Sequence, residues 1–266
     1  MNPDYLSANR NLWNTYTHLH TGSAFYDVAG FRAGATSLQA PELGLLGSVA
    51  GEELLHLQCH FGQDTLSLAR MGARVTGLDL SPDAIQYAHT LAEELNLSAS
   101  FVCGNVLEMD TLLGDRTFDT IFTSYGALPW LPELQTWGSL IARYLKPGGR
   151  FVLVEFHPVI WMYDNVFSQV VYSYFNREVI AEEEHGSYAD QRADTVLTSY
   201  TWNHSLAEVF QALLSQGLRI SRFEEYDTSP YNCFQRTVAV PGGYQIEGLA
   251  GRIPMVYALE ARKDLV

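Results

Sequence analysis

Gly62 and Asp79, seventeen residues apart, bracket the stretch of this 266-residue chain whose chemistry is easiest to read. Leu54, Leu55 and Leu57 form a short apolar run that suits a strand buried on both faces of a parallel sheet. A turn follows at Gln58-Cys59-His60-Phe61-Gly62, then Leu66, Leu68 and Ala69 at helical spacing, with Gly72 as the stop. Val75 to Leu80 reads as a second strand that carries Asp79 to its end, where open α/β sheets bind ligands. At this separation the acid would meet the ribose hydroxyls of a nucleoside held over the first turn. A dinucleotide turn requires G-x-G-x-x-G so that bare backbone can approach a pyrophosphate. Gln58 and His60 stand where those earlier glycines would be, which disfavours NAD.

Further along, Ser81-Pro82-Asp83 opens a helix, with Ser81 as its cap and Pro82 at its first position. Arg150 to His157 reads as a strand ended by Pro158. His157, at its carboxyl end, is the foremost general-base candidate because imidazole titrates near working pH. A histidine satisfied by a backbone carbonyl is the equal alternative. His18 and His20 lie two apart on a helical stretch, point to different faces and lack Cys or acidic partners at ligand spacing. They predict a surface or interface role and no metal.

These segments, in this order, resemble the class I S-adenosylmethionine-dependent methyltransferases. That family's first motif, an acid followed by x-G-x-G-x-G, corresponds to His56-Leu57-Gln58-Cys59-His60-Phe61-Gly62, where only the last glycine survives. Asp79 matches the ribose-binding acid. Phe101 to Val106 matches the third strand and its adenine contact, Phe118 to Ser124 the fourth strand, and Leu145 to Phe151 the turn into the fifth. The resemblance covers residues 53–157. It implies that Gln58, Cys59, His60, Phe61 and Gly62 hold the methionine portion, Asp79 the ribose, Asn105 and Val106 the adenine, and that Leu80 lies beside the adenine or ribose. It further implies that Ser124 lines the cofactor site, that the N-terminal aromatics close it with Tyr16 or Tyr26 offering a hydroxyl (the alternative being the buried face of a cap), and that the segment beginning Ser124-Tyr125 lies by the reacting methyl group. Tyr125 joins His157 as a catalytic candidate. The [DN]-P-P-[FY] motif of nucleic-acid and protein amino-group methyltransferases is missing after Ser124, which favours a small-molecule acceptor.

The surrounding elements follow. Residues 4–20 form an amphipathic helix with Leu6, Trp13, Tyr16 and Leu19 roughly on one face, opening an N-terminal cap over residues 1–45. Residues 46–266 make the cofactor-binding domain: a mostly parallel seven-stranded sheet with an antiparallel last strand and helices on both faces. A helix is expected over Pro132–Tyr144. Residues 159–203 are an aromatic-rich insertion, with strands at Val170–Phe175 and Thr195–Trp202 forming a small β lid over the acceptor or a dimer surface. The acidic run Glu182-Glu183-Glu184 reads as a solvated face. A helix over Ser205–Gln216, a strand over Leu218–Asp227, a long loop over 228–253 and a strand over Pro254–Ala261 finish the fold.

Composition narrows the partners. Hydrophobic residues make up 47% and the net charge is −14, without a basic cluster to meet phosphates, so no nucleic-acid partner is expected. Three scattered cysteines and no signal-like leader suit a reducing cytoplasm, and no apolar run is long enough to span a bilayer. The expected activity is methyl transfer from S-adenosylmethionine, with S-adenosylhomocysteine as product. The alternative is a protein that binds either compound without catalysis.

Overall fold

Short apolar runs with little polar interruption build the centre of the molecule, which a computed structural model describes over residues 4–265. Strands β1 (Glu53–Leu57), β2 (Arg74–Asp79), β3 (Ala99–Cys103), β4 (Phe118–Ser124), β5 (Leu145–Phe156), β8 (Arg219–Tyr226) and β11 (Val256–Arg262) form one sheet in the order β3-β2-β1-β4-β5-β11-β8. Neighbours from β3 to β5 are parallel, whereas β11 runs antiparallel to both β5 and β8. Strand order reverses between β1 and β4, the point at which open α/β sheets hold ligands over their carboxyl ends.

Helices cover both faces. On one, α6 (Met109–Leu113), α7 (Gln135–Tyr144) and α8 (Leu206–Leu214) bury Trp137, Ile141, Val209 and Leu213 against Phe118, Phe151 and Leu153. On the other, α3 (Ala40–Leu46) and α4 (Gln63–Arg70) bury Leu45, Leu46 and Leu68 against Leu54, Phe122 and Val152. Helix α5 (Pro82–Glu94) packs Ile85, Ala88 and Leu91 with Leu66 and Phe101. Its cap is the expected one: Ser81 Oγ accepts from the Ala84 N–H at 3.1 Å, with Pro82 at the first position. The helix expected over Pro132–Tyr144 starts only at Gln135; Leu128–Trp130 before it forms a single 3-10 turn.

Above the sheet lie α1 (Tyr5–Thr21), α2 (Val28–Arg32) and the inserted lid, whose strands β6 (Ile180–His185) and β7 (Val196–Thr201) pair antiparallel. The first lid strand is therefore the acidic run and not Val170–Phe175. Glu182 and Glu184 are half-buried with Ile180 while Glu183 is exposed at the cavity's edge, so this face is not wholly solvated. The loop expected over 228–253 contains a hairpin of β9 (Thr237–Val240) and β10 (Gly243–Ile246).

Helix α1 buries Asn9, Leu12, Tyr16, Thr17 and His20, a stripe that keeps Tyr16 of the expected Leu6–Trp13–Tyr16–Leu19 face but is rotated away from the other three. Lid docking sets this rotation. The Asn9 side chain donates to the Tyr200 carbonyl at 2.8 Å and accepts from the Tyr200 N–H at 2.9 Å, substituting for a neighbouring strand on β7. Asn9→Ala would leave both buried groups unpaired, at a cost of about 2 kcal/mol. Amide exchange at Tyr200 should accelerate more than tenfold in this variant while the β1 and β4 amides stay protected; an unchanged Tyr200 rate would refute the docking role.

Candidate functional site

Five residues of the first turn carry the site. Gln58, His60 and Gly62 all adopt positive φ (54°, 50° and 85°), so the chain retains a left-handed path at two positions that lack glycine. Such a conformation costs about 1–2 kcal/mol for a residue with a Cβ. Local bonds offset it. The Gln58 amide donates to the Ala127 carbonyl at 2.7 Å, and the His60 N–H donates to Asp79 Oδ2 at 2.8 Å. Gly62 has no such latitude, because a Cβ there would lie 2.9 Å from both the Ala88 methyl and the Phe101 ring.

Asp79 ends β2 almost wholly buried, and burial pushes its carboxyl up to about 6. Its two oxygens accept from the His60 and Ser81 N–H groups, one each, which leaves further acceptor capacity on both. Asn105 Oδ1 accepts from the Leu107 N–H at 3.1 Å and thereby starts a short 3-10 turn at Val106. Ser124 Oγ donates to Asp64 Oδ2 at 3.2 Å and lies 3.4 Å from His56 Nε2. His56 itself contacts Thr65 Oγ1 at 2.8 Å, and burial depresses its imidazole to about 3.

A cavity of about 850 Å³ joins these groups. Its lining includes Gln58, Cys59, His60, Phe61, Gly62, Asp79, Leu80, Asn105, Val106, Ser124, Tyr125 and Tyr26. His157 is not among them. It is buried behind β5 with Nε2 3.0 Å from the Glu225 carboxylate, and its Nδ1 accepts from the Val159 N–H at 3.2 Å. Burial lowers its imidazole against the opposing pull of Glu225. That geometry removes it from reach of a ligand in the cavity. Tyr125 does line the cavity, at a positive φ of 31°, and donates its hydroxyl to Glu42 at 2.7 Å. Glu42 is fully buried, and desolvation with the nearby Asp64 charge raises its carboxyl to about 7.

Sequence reasoning missed several participants. His20, expected at a surface, is completely buried; its Nδ1 meets His60 Nε2 at 2.9 Å, and desolvation holds it near 3. Tyr188 of the lid shares a hydrogen bond with the Tyr26 hydroxyl, joining the cap to the insertion. Asp64, two residues beyond Gly62, is a buried carboxylate in the cavity wall, with burial raising its carboxyl against bonds from Ser37 and Ser124. Glu155 is buried on β5 and accepts from the N–H groups of Gly126, Ala127 (2.8 Å), Leu128 (3.0 Å) and Phe156 (2.6 Å). An acid inside the apolar run FVLVEF was the available signal, since a buried carboxylate needs several donors.

Comparison with known proteins agrees with this geometry. A methyltransferase-domain family model matches residues 54–149. An uncharacterised methyltransferase of Synechocystis is 34% identical over 168 residues, which span 61% of this chain and 76% of that protein. A demethylmenaquinone methyltransferase of Tropheryma whipplei is 37% identical over 116 residues, and the chain spans 46% of its length. In structure the chain resembles a magnesium protoporphyrin IX methyltransferase of Synechocystis solved with S-adenosylhomocysteine (16% identity, TM-score 0.55, covering 98% of this chain and 100% of the other). It also resembles the [4+2]-cyclase SpnF (16% identity, TM-score 0.60, covering 97% and 96%). The sheet order and the turn over β1 define a Rossmann-like nucleoside-binding fold. The chain belongs to the class I S-adenosylmethionine-dependent methyltransferases, and S-adenosylmethionine is the cofactor of that family.

The residues present fit this cofactor. Asp79 retains lone pairs for two ribose hydroxyls, and the buried Gln58 Oε1 has no protein partner, so it can accept from an ammonium. Hydroxyl donors favour ionised Asp79, so acid should oppose binding. S-adenosylhomocysteine affinity is expected to fall about tenfold per pH unit once pH drops below about 6, the value at which Asp79 takes up its proton. Asp79→Asn should remove this step and bind weakly at every pH. A wild-type affinity that is flat from pH 7 to 5 would refute the ribose assignment. Glu155→Gln replaces one oxygen with an NH2 that opposes two of the four N–H donors and should cost about 3 kcal/mol in denaturant unfolding. A loss under 0.5 kcal/mol, well inside the scatter of exposed sites, would mean the loop holds itself.

Proposed function

We propose that this protein transfers a methyl group from S-adenosylmethionine to a small-molecule acceptor. The observation that carries the reading is one cavity of about 850 Å³ that unites the β1 and β2 strand ends with an aromatic roof from α1, the lid and the 228–236 loop. That volume lies toward the upper end of ordinary ligand pockets and leaves room for an acceptor beside the nucleoside. A sulfonium-bound methyl is already electrophilic, so the protein's share is proximity, alignment and exclusion of water.

Residue roles follow from position. Asp79 would hold the ribose, with Asn105, Val106 and Leu80 around the adenine. The Gln58–Gly62 turn and Ser124 would face the methionine portion, with Asp64 behind Ser124 as a counter-charge to the ammonium. Tyr26, bonded to Tyr188, closes the cavity from the cap side. Tyr125 is the catalytic candidate, since its ring lines the cavity and its hydroxyl is already committed to Glu42. Small acceptors are also in keeping with relatives named for menaquinone and ubiquinone synthesis, one of them 31% identical over 107 residues.

Calorimetric titration with S-adenosylmethionine, S-adenosylhomocysteine and NAD tests the reading. Micromolar binding of the first two, none of NAD, and release of S-adenosylhomocysteine when quinols, phenols or amines are supplied are the expected results. Failure of both methyl-cycle compounds to bind would overturn it. Tight binding with no transfer to any acceptor would favour a protein that binds the cofactor without catalysis.

A further inference from the structure

The cavity's charges are one-sided. Seven carboxylates line it (Asp27, Asp64, Asp79, Asp164, Glu182, Glu183 and Glu184), and among the described lining residues there is no Lys or Arg. Anionic ligands are usually gripped by Arg or Lys in charge-assisted pairs. A carboxylate or phosphate on the acceptor would find no such partner here and would meet like charge on the cap, α4, the end of β2 and the lid.

We infer that the methyl acceptor carries an alkylammonium group, held between aromatic rings and the inward carboxylates Glu182 and Glu184 of the lid. This rests on the methyltransferase reading above and adds the acceptor's class.

Strand register turns these two acids inward. Glu182 pairs with Ser199 and Glu184 with Leu197, and the alternation along β6 leaves Glu182 and Glu184 half-buried. Glu182 Oε1 accepts from the Tyr172 hydroxyl at 2.6 Å and Glu184 Oε1 from Ser199 Oγ at 2.8 Å. Both contacts come from neutral hydroxyls and the described cavity lining offers the pair no Lys or Arg; the only nearby cationic group among the described residues is the His185 imidazole, which bears on Glu184. Burial and then the Glu182 charge push the Glu184 carboxyl upward against the Ser199 bond and the His185 charge, and a bound cation would oppose that push.

Rings share the cavity with the pair, Tyr172 and Tyr16 beside the acids themselves. The charge of Glu184 bears on the Tyr16 hydroxyl, Tyr16 is edge-on to Trp13 at 5.7 Å, and Trp13 is edge-on to Trp130 at 5.2 Å. Trp202 adds a wall at the end of β7. Aromatic faces beside carboxylates are the standard means of holding an alkylammonium. A separate observation also points to a donor-bearing ligand. Asn203, only 1% exposed, lines the same cavity, and its Oδ1 has no hydrogen-bond partner. Trp161 Nε1, also in the lining, is unpartnered too, so a hydroxyl or carbonyl on the same molecule would be met. A protonated nitrogen has no lone pair, so the group at Glu182 and Glu184 is a handle and not the atom that attacks the methyl group.

The test uses the full chain saturated with S-adenosylhomocysteine, so that the nucleoside side is filled. Thermal shift and calorimetry compare compounds that differ only in one group: tyramine, 3-(4-hydroxyphenyl)propionate and its primary amide, then tryptamine, indole-3-propionate and its amide. Amines should raise Tm and bind about tenfold or more tighter than the matched carboxylates. The Glu182→Gln/Glu184→Gln double variant should abolish this preference with S-adenosylhomocysteine affinity retained. Carboxylates binding as well as amines, or no amine binding at all, overturns the inference from wild-type protein alone, whether or not the variant folds. Loss of S-adenosylmethionine binding in the folded variant also overturns it, by assigning the lid acids to the sulfonium. Failure of wild type to bind S-adenosylhomocysteine would instead defeat the methyltransferase reading itself.

Discussion

The Glu155 carboxylate holds the two halves of the site in register. It lies inside β5, where an ionised group is expensive, and offsets that cost by accepting four backbone N–H groups, three of them successive residues of the loop after β4. The loop is thereby fixed to the fifth strand. Gln58 then ties the first turn to the same loop through the Ala127 carbonyl. Tyr125, at the start of this loop, takes a left-handed backbone that nothing in its own chemistry favours, and Glu42 holds its ring from α3. One buried charge thus aligns β1, β4, β5 and α3 around the end of the cavity where the methyl group would face.

The first turn shows how a motif can be lost as letters and kept as geometry. Glycine is ordinarily favoured for positive φ, yet Gln58 and His60 adopt it with side chains that earn their place: one clasps Ala127, the other meets His20 of α1. The cap therefore reaches the cofactor turn through an imidazole pair kept neutral by desolvation. At the last position no side chain is tolerated, and glycine stays.

Legibility in the sequence tracked how local the cause was. The β1-turn-α4-β2 unit, the Ser81 cap and the position of Asp79 are set by apolar runs and turn residues within thirty positions, and they stand where expected. The lid strand was misplaced because its inward positions are acids, and a reading by hydrophobic alternation assigns acids outward. His157 looked like a base because its partner Glu225 arrives from β8, sixty-eight residues later, and nothing near His157 announces it. His20 looked exposed for the same reason: its burial depends on His60 and on the rings of Tyr26 and Tyr188.

The Asn9–Tyr200 clasp spans 191 residues and bears on how the chain is made. Helix α1 leaves the ribosome well before its docking strand, which is synthesised only after five strands of the central sheet. During that interval the stripe that will be buried must remain in water without recruiting a wrong partner. Its composition suits the wait. Asn9, Thr17 and His20 interrupt Leu12 and Tyr16, so the unpartnered helix offers little continuous apolar surface, and a polar clasp selects β7 when it finally appears.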